Sequence, residues 1–335
     1  MVSRLIATLP FVAAGVVAAC AGSPPTASIA PDVSSPLPTQ TAPLYEVAAA
    51  HPLPPVEPEN HPKLHNVFEL SENIVSGSEP EGENAFRVLK EKGIRTILSV
   101  DGKTPDLATA ERYGIRYVHV PIQYKGITDR QVAEIAKSFR ELEGPFYVHC
   151  FHGKHRGPAA AAIGRVVLDG APRDRAIAEM RQYCGTSSKY EGLYGTVAHG
   201  RIPSAVETAA LDWDFPSATP LDGIAGSMVP IARHADNVKA LYENDWRATS
   251  DHPDLDASNE MAVLAGLFER ANALPELAES PPDLRRWMHD SMVQSASLRD
   301  AMAAMRAGTG DEAAVDDAYD ALFETCAACH KAYRN

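Results

Sequence analysis

The spacing of apolar residues changes near Leu221, and this change restricts what the chain can fold into. From Leu64 to His149, short apolar runs alternate with amphipathic stretches, which is typical of an α/β domain built on a central sheet. After Leu221 no strand-like run occurs, and apolar residues recur at helical spacing in four blocks separated by turn sequences. The blocks lie near residues 222–246, 257–274, 282–306 and 311–334. Four such blocks with short turns predict an antiparallel four-helix bundle.

The length of 335 residues leaves room for both predicted domains, so we expect a multidomain chain. We place the α/β domain at residues 63–200 and the helical domain at 222–335, joined by a proline-containing linker at 201–221. Within the α/β domain, Thr128 and Gln131 have the spacing of a capping box, which predicts that a helix begins there. The formal net charge of −13 argues against a nucleic-acid partner.

Residues 1–20 have the features of an export signal, because Arg4 is followed by an apolar run that ends in small residues before Cys20. The sequence just before this cysteine resembles a bacterial lipoprotein box. That resemblance implies lipid attachment to Cys20 and a membrane-anchored protein that faces the periplasm. An ordinary signal peptide cut near Ala19 is the alternative. Residues 21–62 are rich in Pro, Ser, Thr and Ala without periodicity, which predicts a disordered tether.

The residues from His149 to Arg156 follow an apolar run and precede an alanine-rich helix, so Cys150 lies at the base of a loop that leads into a helix N-terminus. Backbone N–H groups and the helix dipole at such a position bind phosphate and lower the pKa of a thiol, which makes a thiolate nucleophile available. Arg156 offers paired donors that match phosphoryl oxygens, and Gly153 permits a backbone geometry that a Cβ would obstruct. We therefore expect an anion site here.

This loop resembles the HCxxGxxR signature of cysteine-dependent tyrosine and dual-specificity protein phosphatases, and it is most similar to the plant and fungal atypical members. The resemblance covers about residues 64–185. It implies that Cys150 is the nucleophile that forms a phosphocysteine, that Arg156 clamps the phosphate and that His149 orients the loop. A phosphorylated small molecule or protein would be the substrate. Its binding residues would be His149, His152, Gly153, Lys154 and His155. The positive charges among them would suit a polyanionic substrate, unless they simply face solvent.

Two features of the family pattern are missing or ambiguous in this chain. The family has a Ser or Thr whose hydroxyl helps the thiolate leave, and Gly157 occupies that position here. This difference predicts slow hydrolysis of the phosphocysteine and faster turnover in a Gly157→Ser variant. Asp129 is the first candidate for the general acid, although a carboxylate in the first turn of a helix is stabilised in its charged form. Asp101, at the end of a predicted strand, is the second candidate.

Cys326, Cys329 and His330 form a CxxCH motif on the last helical block. Two cysteines one turn apart can form thioethers to haem vinyl groups while the following histidine ligates the iron. The motif lies near the C-terminus with Arg334 four places after the histidine, which resembles cytochrome c prime and implies one covalent haem c. By the same resemblance Met228 is the candidate sixth ligand, the alternative being a core methionine and an open iron site. A zinc or redox CxxC site is a further alternative.

These motifs lead to one main functional hypothesis, an exported cysteine phosphatase fused to a haem c domain that transfers electrons or senses a gas or redox state. Covalent haem attachment takes place outside the cytoplasmic membrane, so the haem motif and the export signal agree. One alternative is a periplasmic c-type cytochrome whose phosphatase-like domain binds an anion without turnover. Another is a protein in which Cys150 is a redox-responsive thiol. The sequence leaves open an electron-transfer partner and a homodimer.

Overall fold

A computed structural model of the chain describes residues 35–39, 41–219, 221–248 and 255–334. The predicted export signal at residues 1–20, the lipid attachment at Cys20 and the start of the predicted tether lie outside these ranges and stay predictions. Among the described residues, no helix combines the length and the apolar character that crossing a membrane requires. We refer to residues 35–219 as the α/β region and to residues 221–334 as the helical region.

A six-stranded sheet forms the centre of the α/β region, with the strand order β1-β2-β3-β6-β4-β5. The strands are β1 (Glu59–His61), β2 (Leu64–Glu69), β3 (Ile74–Gly77), β4 (Thr96–Ser99), β5 (Arg116–His119) and β6 (Phe146–His149). Strands β3, β6, β4 and β5 are parallel to one another, whereas β1 and β2 are antiparallel and lie at one edge of the sheet. Every residue of β3, β4 and β6 is buried, as expected for parallel strands covered on both faces. The C-terminal ends of these three strands therefore meet at one edge of the sheet.

Helices cover both faces of this sheet, because successive strand residues alternate between two apolar clusters. Ile97 belongs to the cluster beneath the first pair of helices, and Leu98 belongs to the cluster beneath the others. The first pair is α2 (Gly82–Glu91) and α3 (Leu107–Arg112). The others are α1 (Leu44–Ala50), α4 (Asp129–Glu141), α5 (Arg156–Leu168), α6 (Arg173–Gln182) and α7 (Glu191–His199). The predicted capping box is confirmed at the start of α4, where Thr128 and Gln131 bond each other's backbone N–H groups.

The predicted tether is wrong for part of its length. Within residues 21–62, α1 places Leu44 and Ala48 in the main core of the α/β region, and β1 joins the sheet edge. The carboxylate of Glu191 accepts hydrogen bonds from the first two backbone N–H groups of α1. Proline content suggested an unstructured segment, but the i, i+4 spacing of the two buried residues is enough to dock a short helix.

The predicted linker at residues 201–221 also contains regular structure. Helix α8 (Ala205–Ala209) begins with a capping box in which Ser204 accepts from the backbone N–H of Glu207. After this helix, Trp213 and Phe215 pack against the main core of the α/β region. The segment is therefore part of the folded α/β region, because aromatic residues between the prolines give it an apolar surface to bury.

Beyond residue 221 the described chain is helical. The helices are α9 (Gly223–Tyr242), α10 (Ala257–Asn272), α11 (Pro275–Glu279), α12 (Pro282–Arg306) and α13 (Glu312–Tyr333). The four long ones correspond to the four predicted blocks and pack around Val238, Leu264, Leu298 and Leu322. The first and last of them also meet through the rings of Tyr242 and Tyr319, which stack with centroids 4.0 Å apart. The helical region and the α/β region lie in one compact unit.

Two neighbouring alanines on α1 provide a test of its docking. Ala48 is 0% exposed, whereas Ala49 is exposed. We expect Ala48→Asp to lower the free energy of unfolding by about 2 kcal/mol or more, because it buries a carboxylate without a partner. Ala49→Asp should change it by less than about 0.5 kcal/mol. Urea denaturation followed by circular dichroism measures both values, and equal effects would show that α1 does not dock.

Candidate active site

The loop from Cys150 to His155 connects the end of β6 to the start of α5. Its carbonyl groups are bound from outside the loop: Phe151 O accepts from Glu79 N at 3.0 Å, Gly153 O from Asn66 Nδ2 at 3.0 Å, and Lys154 O from Thr186 Oγ1 at 2.7 Å. The backbone N–H groups of residues 151–155 have no protein acceptor in the part of the chain that the structure describes. A run of unpaired N–H groups at a helix N-terminus is an anion-binding arrangement. Cys150, 3% exposed, lies at its base.

Gly153 is needed because the loop touches the end of β3. Its φ of +68° lies in the left-handed region, and a Cβ at this position would lie 2.3 Å from the carbonyl carbon of Gly77. A side chain would therefore clash with backbone that cannot move without disturbing the sheet. The sequence predicted that a Cβ at Gly153 would be obstructed, and the structure shows that the obstructing backbone is that of Gly77.

Gly157 is also constrained, because backbone of the neighbouring strand end packs against it. A Cβ on Gly157 would lie 2.9 Å from the backbone N of Cys150 and 3.1 Å from the carbonyl carbon of His149. The first turn of α5 therefore packs directly on the end of β6, which leaves no room for a serine. The expectation that Gly157→Ser would raise turnover gains no geometric support and stays a prediction, because the substitution would displace the backbone of Cys150.

Arg156 is held by a buried carboxylate from the neighbouring strand end. Its Nη2 donates to Asp101 Oδ1 at 2.8 Å, and that oxygen also accepts from Gly102 N at 2.7 Å. The other oxygen, Oδ2, accepts from Arg233 Nη2 at 2.8 Å. The Nε of Arg156 is buried and has no acceptor among the described residues, so it is available to an anion in the loop.

The ion pairs decide the protonation of Asp101. Burial on its own would raise the pKa of this carboxyl, but Arg156 and Arg233 together lower it below its ordinary value. Asp101 is therefore a carboxylate that orients Arg156, and it has no proton to give a leaving group. The two ion pairs therefore argue against Asp101, the second candidate, as the general acid.

Asp129 is the first residue of α4, and its side chain is exposed. The structure records no hydrogen bond or ion pair for this carboxylate within the described ranges, and none with the loop. A role as the general acid therefore gains no geometric support and stays a prediction.

His149 supports the loop from inside the sheet. Its ring is buried, with Nε2 3.0 Å from Tyr117 Oη, and it lies against Tyr147 with centroids 6.0 Å apart. Burial lowers the pKa of this imidazole to about 4, so the ring is neutral near pH 7. The orienting role agrees with this position, but the assignment of His149 as a substrate contact does not, because its neighbours are core tyrosines.

The remaining loop residues differ from one another in charge and exposure. His152 and Lys154 are exposed, and the ring of His152 lies 3.1 Å from the carboxylate of Asp236. His155 packs against Tyr190 with centroids 4.6 Å apart. Burial, followed by the nearby His152, lowers the pKa of His155 to about 4. The prediction of His155 as a positive group is therefore wrong near pH 7, since its ring is neutral.

Two contributors to the site were missed by sequence reasoning. Tyr124, in the turn after β5, lies 4.5 Å from the guanidinium carbon of Arg156 and 3.9 Å from that of Arg334, measured to its ring centroid. Arg233 comes from α9 in the helical region. No local sequence pattern predicts that either residue belongs to the site, because tertiary packing brings both of them to the loop.

The CxxCH residues lie at the end of α13. Cys326 and Cys329 are free, partly buried thiols, and Cys326 packs against the core of the helical region. Burial lowers the pKa of His330 to about 4, which leaves a neutral imidazole suited to ligating iron. This donor set fits a c-type haem, which needs two thiols and one imidazole. Within the described ranges, no three His, Cys, Asp or Glu side chains are placed to hold a metal ion by themselves.

Met228 packs against the same core as Cys326, and its ligand role stays a prediction.

Known proteins resemble the chain over its N-terminal part. No protein-family model matches it. The dual-specificity protein phosphatase TpbA of Pseudomonas aeruginosa is 25% identical over 142 residues, which cover 42% of this chain and 64% of TpbA. The chain thus spans slightly less than two thirds of that relative. The crystal structure of TpbA aligns with 23% identity and a TM-score of 0.35 over 42% of this chain and 87% of that one. A TpbA variant in complex with phosphotyrosine aligns with 21% identity and a TM-score of 0.34, over 43% and 88% of the two chains.

The N-terminal part of the chain is therefore homologous to TpbA-type dual-specificity phosphatases. This homology agrees with the phosphatase type predicted from the loop between Cys150 and Arg156.

The packing of α5 on β6 leads to a test with two helical glycines. We expect Gly157→Ala to lower the free energy of unfolding by about 1 to 3 kcal/mol, because its Cβ meets backbone at 2.9 Å. Gly266, inside α10, has only the end of the Arg270 side chain near it, at 3.5 Å. Gly266→Ala should therefore raise the free energy by about 0.5 to 1 kcal/mol. Thermal denaturation of the two variants checks the contrast, and a stabilised Gly157→Ala protein would contradict the close packing.

Proposed function

We propose that this protein is a cysteine-dependent phosphatase that hydrolyses phosphate monoesters through a phosphocysteine at Cys150. The observation that carries the proposal is the arrangement around this thiol: unpaired N–H groups at residues 151–155 and a buried Arg156 whose Nε has no protein partner. Homology of the N-terminal part to TpbA-type phosphatases supports it.

The proposed reaction has two steps. Phosphate oxygens accept hydrogen bonds from the loop N–H groups and from Arg156, which stabilise the charge that develops during transfer. The thiolate of Cys150 attacks phosphorus, a sulfur–phosphorus bond forms, and the bond to the leaving oxygen breaks. Water then attacks phosphorus, the sulfur departs as a thiolate, and inorganic phosphate is released.

We infer the substrate class from the protonation of Asp101, the carboxylate paired with Arg156. Asp101 is ionised and paired with two guanidiniums, so it cannot protonate the leaving oxygen. Aryl phosphates leave as phenolates and need less proton transfer than alkyl phosphates. We therefore propose aryl phosphate monoesters as the preferred substrates. The TpbA complex with phosphotyrosine contains a group of this class.

Two cysteines of the α/β region provide a matched test of this function. We expect Cys150→Ser to lower the kcat for para-nitrophenyl phosphate by about 1000-fold or more, because the nucleophile is lost. Cys184 is also buried, and burial raises the pKa of its thiol to about 12, so it is not a nucleophile. Cys184→Ser should retain kcat within about threefold.

The competing hypothesis is an anion-binding loop without turnover. It would be favoured by a wild-type protein that binds inorganic phosphate in calorimetry but releases none from the substrate. Equal activity in the wild type and Cys150→Ser would contradict the phosphocysteine.

We further propose that the helical region carries one covalent haem c, held through Cys326 and Cys329 with His330 as the iron ligand. The free thiols and neutral imidazole at the end of α13 support this. Bound haem would supply redox or gas-binding chemistry, for electron transfer to a partner or for sensing. The same proposal includes export, anchoring through lipid on Cys20 and a location facing the periplasm, where haem attachment takes place.

Haem attachment is tested by expression in a host with c-type haem maturation. We expect the wild-type band on a denaturing gel to stain for haem, and Cys326→Ala combined with Cys329→Ala to abolish the stain, because both thioether bonds are lost. Cys184→Ser, which leaves the motif intact, should stain like the wild type. An unstained wild-type band from such a host would contradict the assignment.

A further inference from the structure

One face of α9 lies against the loop that contains Cys150. Val229, Arg233 and Asp236 have helical spacing and share this face. A Cβ on Gly102 would lie 2.6 Å from the Cγ2 of Val229, so the two residues pack directly. Asp236 contacts His152 of the loop at 3.1 Å. The helical region therefore forms one wall around the candidate active site.

Arg233 is the central residue of this wall. Its Nη2 lies 2.8 Å from Asp101 Oδ2 and 2.5 Å from Glu79 Oε2, and its side chain is only 18% exposed. Its guanidinium carbon also lies 3.9 Å above the ring of Phe151, the residue that follows Cys150. One side chain thus joins two buried carboxylates to the loop itself.

The two carboxylates depend on Arg233. Asp101 has Arg156 and Gly102 N on one oxygen, but its other oxygen has no donor except Arg233 within the described ranges. Glu79 has Lys103 at 2.8 Å on one oxygen and Arg233 on the other. Without Arg233, Arg156 alone would have to neutralise Asp101, and Lys103 alone would have to neutralise Glu79. Less positive charge would then remain beside the loop for a phosphate anion.

We propose that Arg233 is a positioning residue of the phosphatase site. It holds Asp101 in the orientation that fixes Arg156, and it offsets the carboxylate charge that would otherwise oppose a phosphate dianion. This proposal rests on the proposed phosphatase function and adds that the site is complete only with the helical region present.

The test compares three variants of the full chain. Arg233→Gln removes the charge, and Arg233→Lys keeps it without the planar fork. Arg299→Gln is the control, because Arg299 lies on α12 with an exposed side chain paired to its neighbour Asp300. Calorimetry measures the Kd for inorganic phosphate, and para-nitrophenyl phosphate gives kcat and KM. The pH dependence of Cys150 alkylation by iodoacetamide reports the thiolate.

We expect Arg233→Gln to raise the Kd for phosphate about tenfold or more and to move alkylation of Cys150 to higher pH. Arg233→Lys should recover part of the affinity, and Arg299→Gln should behave like the wild type. An unchanged Kd and alkylation profile in Arg233→Gln, even with a lower Tm, would overturn the proposal, since Arg233 would then only join the two regions. If Arg233→Gln does not fold, an unchanged Kd in Arg233→Lys overturns it equally.

The two proposals can fail separately. A wild type that binds phosphate without hydrolysing it refutes the phosphatase function, while the effect of Arg233→Gln on the Kd still decides the positioning role. A wild type that neither binds phosphate nor hydrolyses the substrate overturns both.

Discussion

The carboxylate of Asp101, shared between Arg156 and Arg233, is the interaction on which the candidate site depends. Its side chain is 7% exposed, so its charge is removed from water and must be matched by buried donors. Each oxygen accepts from a different guanidinium, and one of these comes from the helical region. A buried ion pair adds little net stability compared with apolar packing, but the loss of one partner leaves an unpaired buried charge, which is strongly unfavourable. The arrangement therefore fixes geometry more than it strengthens the fold.

Helix α9 of the helical region also contacts the α/β region, so the two regions are not independent modules. One face of the helix is buried in the core of the helical region through Ile231, Val238 and Leu241. Arg233 instead contacts Asp101 and Phe151 of the α/β region. A second link lies at the other end of the helical region. Arg334, which donates its backbone N–H to His330 O, stacks on the same tyrosine that Arg156 contacts. Tyr124 thus contacts one arginine from each of the two regions.

The sequence predicts the parts of this site that are local. The segment from His149 to Arg156 combines an apolar strand, a glycine and a helix start, and each feature acts within a few residues, so the loop and its flanking elements are as expected. Helical periodicity likewise locates the four long helices. The burial of a loop histidine depends on long-range packing, and His155 is therefore neutral near pH 7 and not positively charged as expected.

Long-range contacts could not be predicted from the chain alone. Asp101 meets Arg156 because β4 and β6 are adjacent and parallel, and this pairing is a property of the sheet and not of either segment. The docking of α1 has the same origin, since proline content suggested a tether while Glu191, far along the chain, supplies the bonds that fix its first turn. The surroundings of Gly157 have the same origin, because the packing of α5 on the end of β6 places the backbone N of Cys150 2.9 Å from where a Cβ would lie.

The shared carboxylate also limits the chemistry that the site can perform. A general acid must hold a proton when the leaving oxygen departs, and two guanidiniums on Asp101 keep that proton away. The same contacts keep Arg156 in place with its Nε free for a phosphate oxygen. Asp101 therefore cannot both orient Arg156 as a carboxylate and donate a proton to the leaving oxygen. Its contacts in the structure suit the first of these roles. In the proposed reaction Asp101 therefore cannot protonate the leaving oxygen, so a leaving group that is stable as an anion, such as a phenolate, is favoured over an alkoxide.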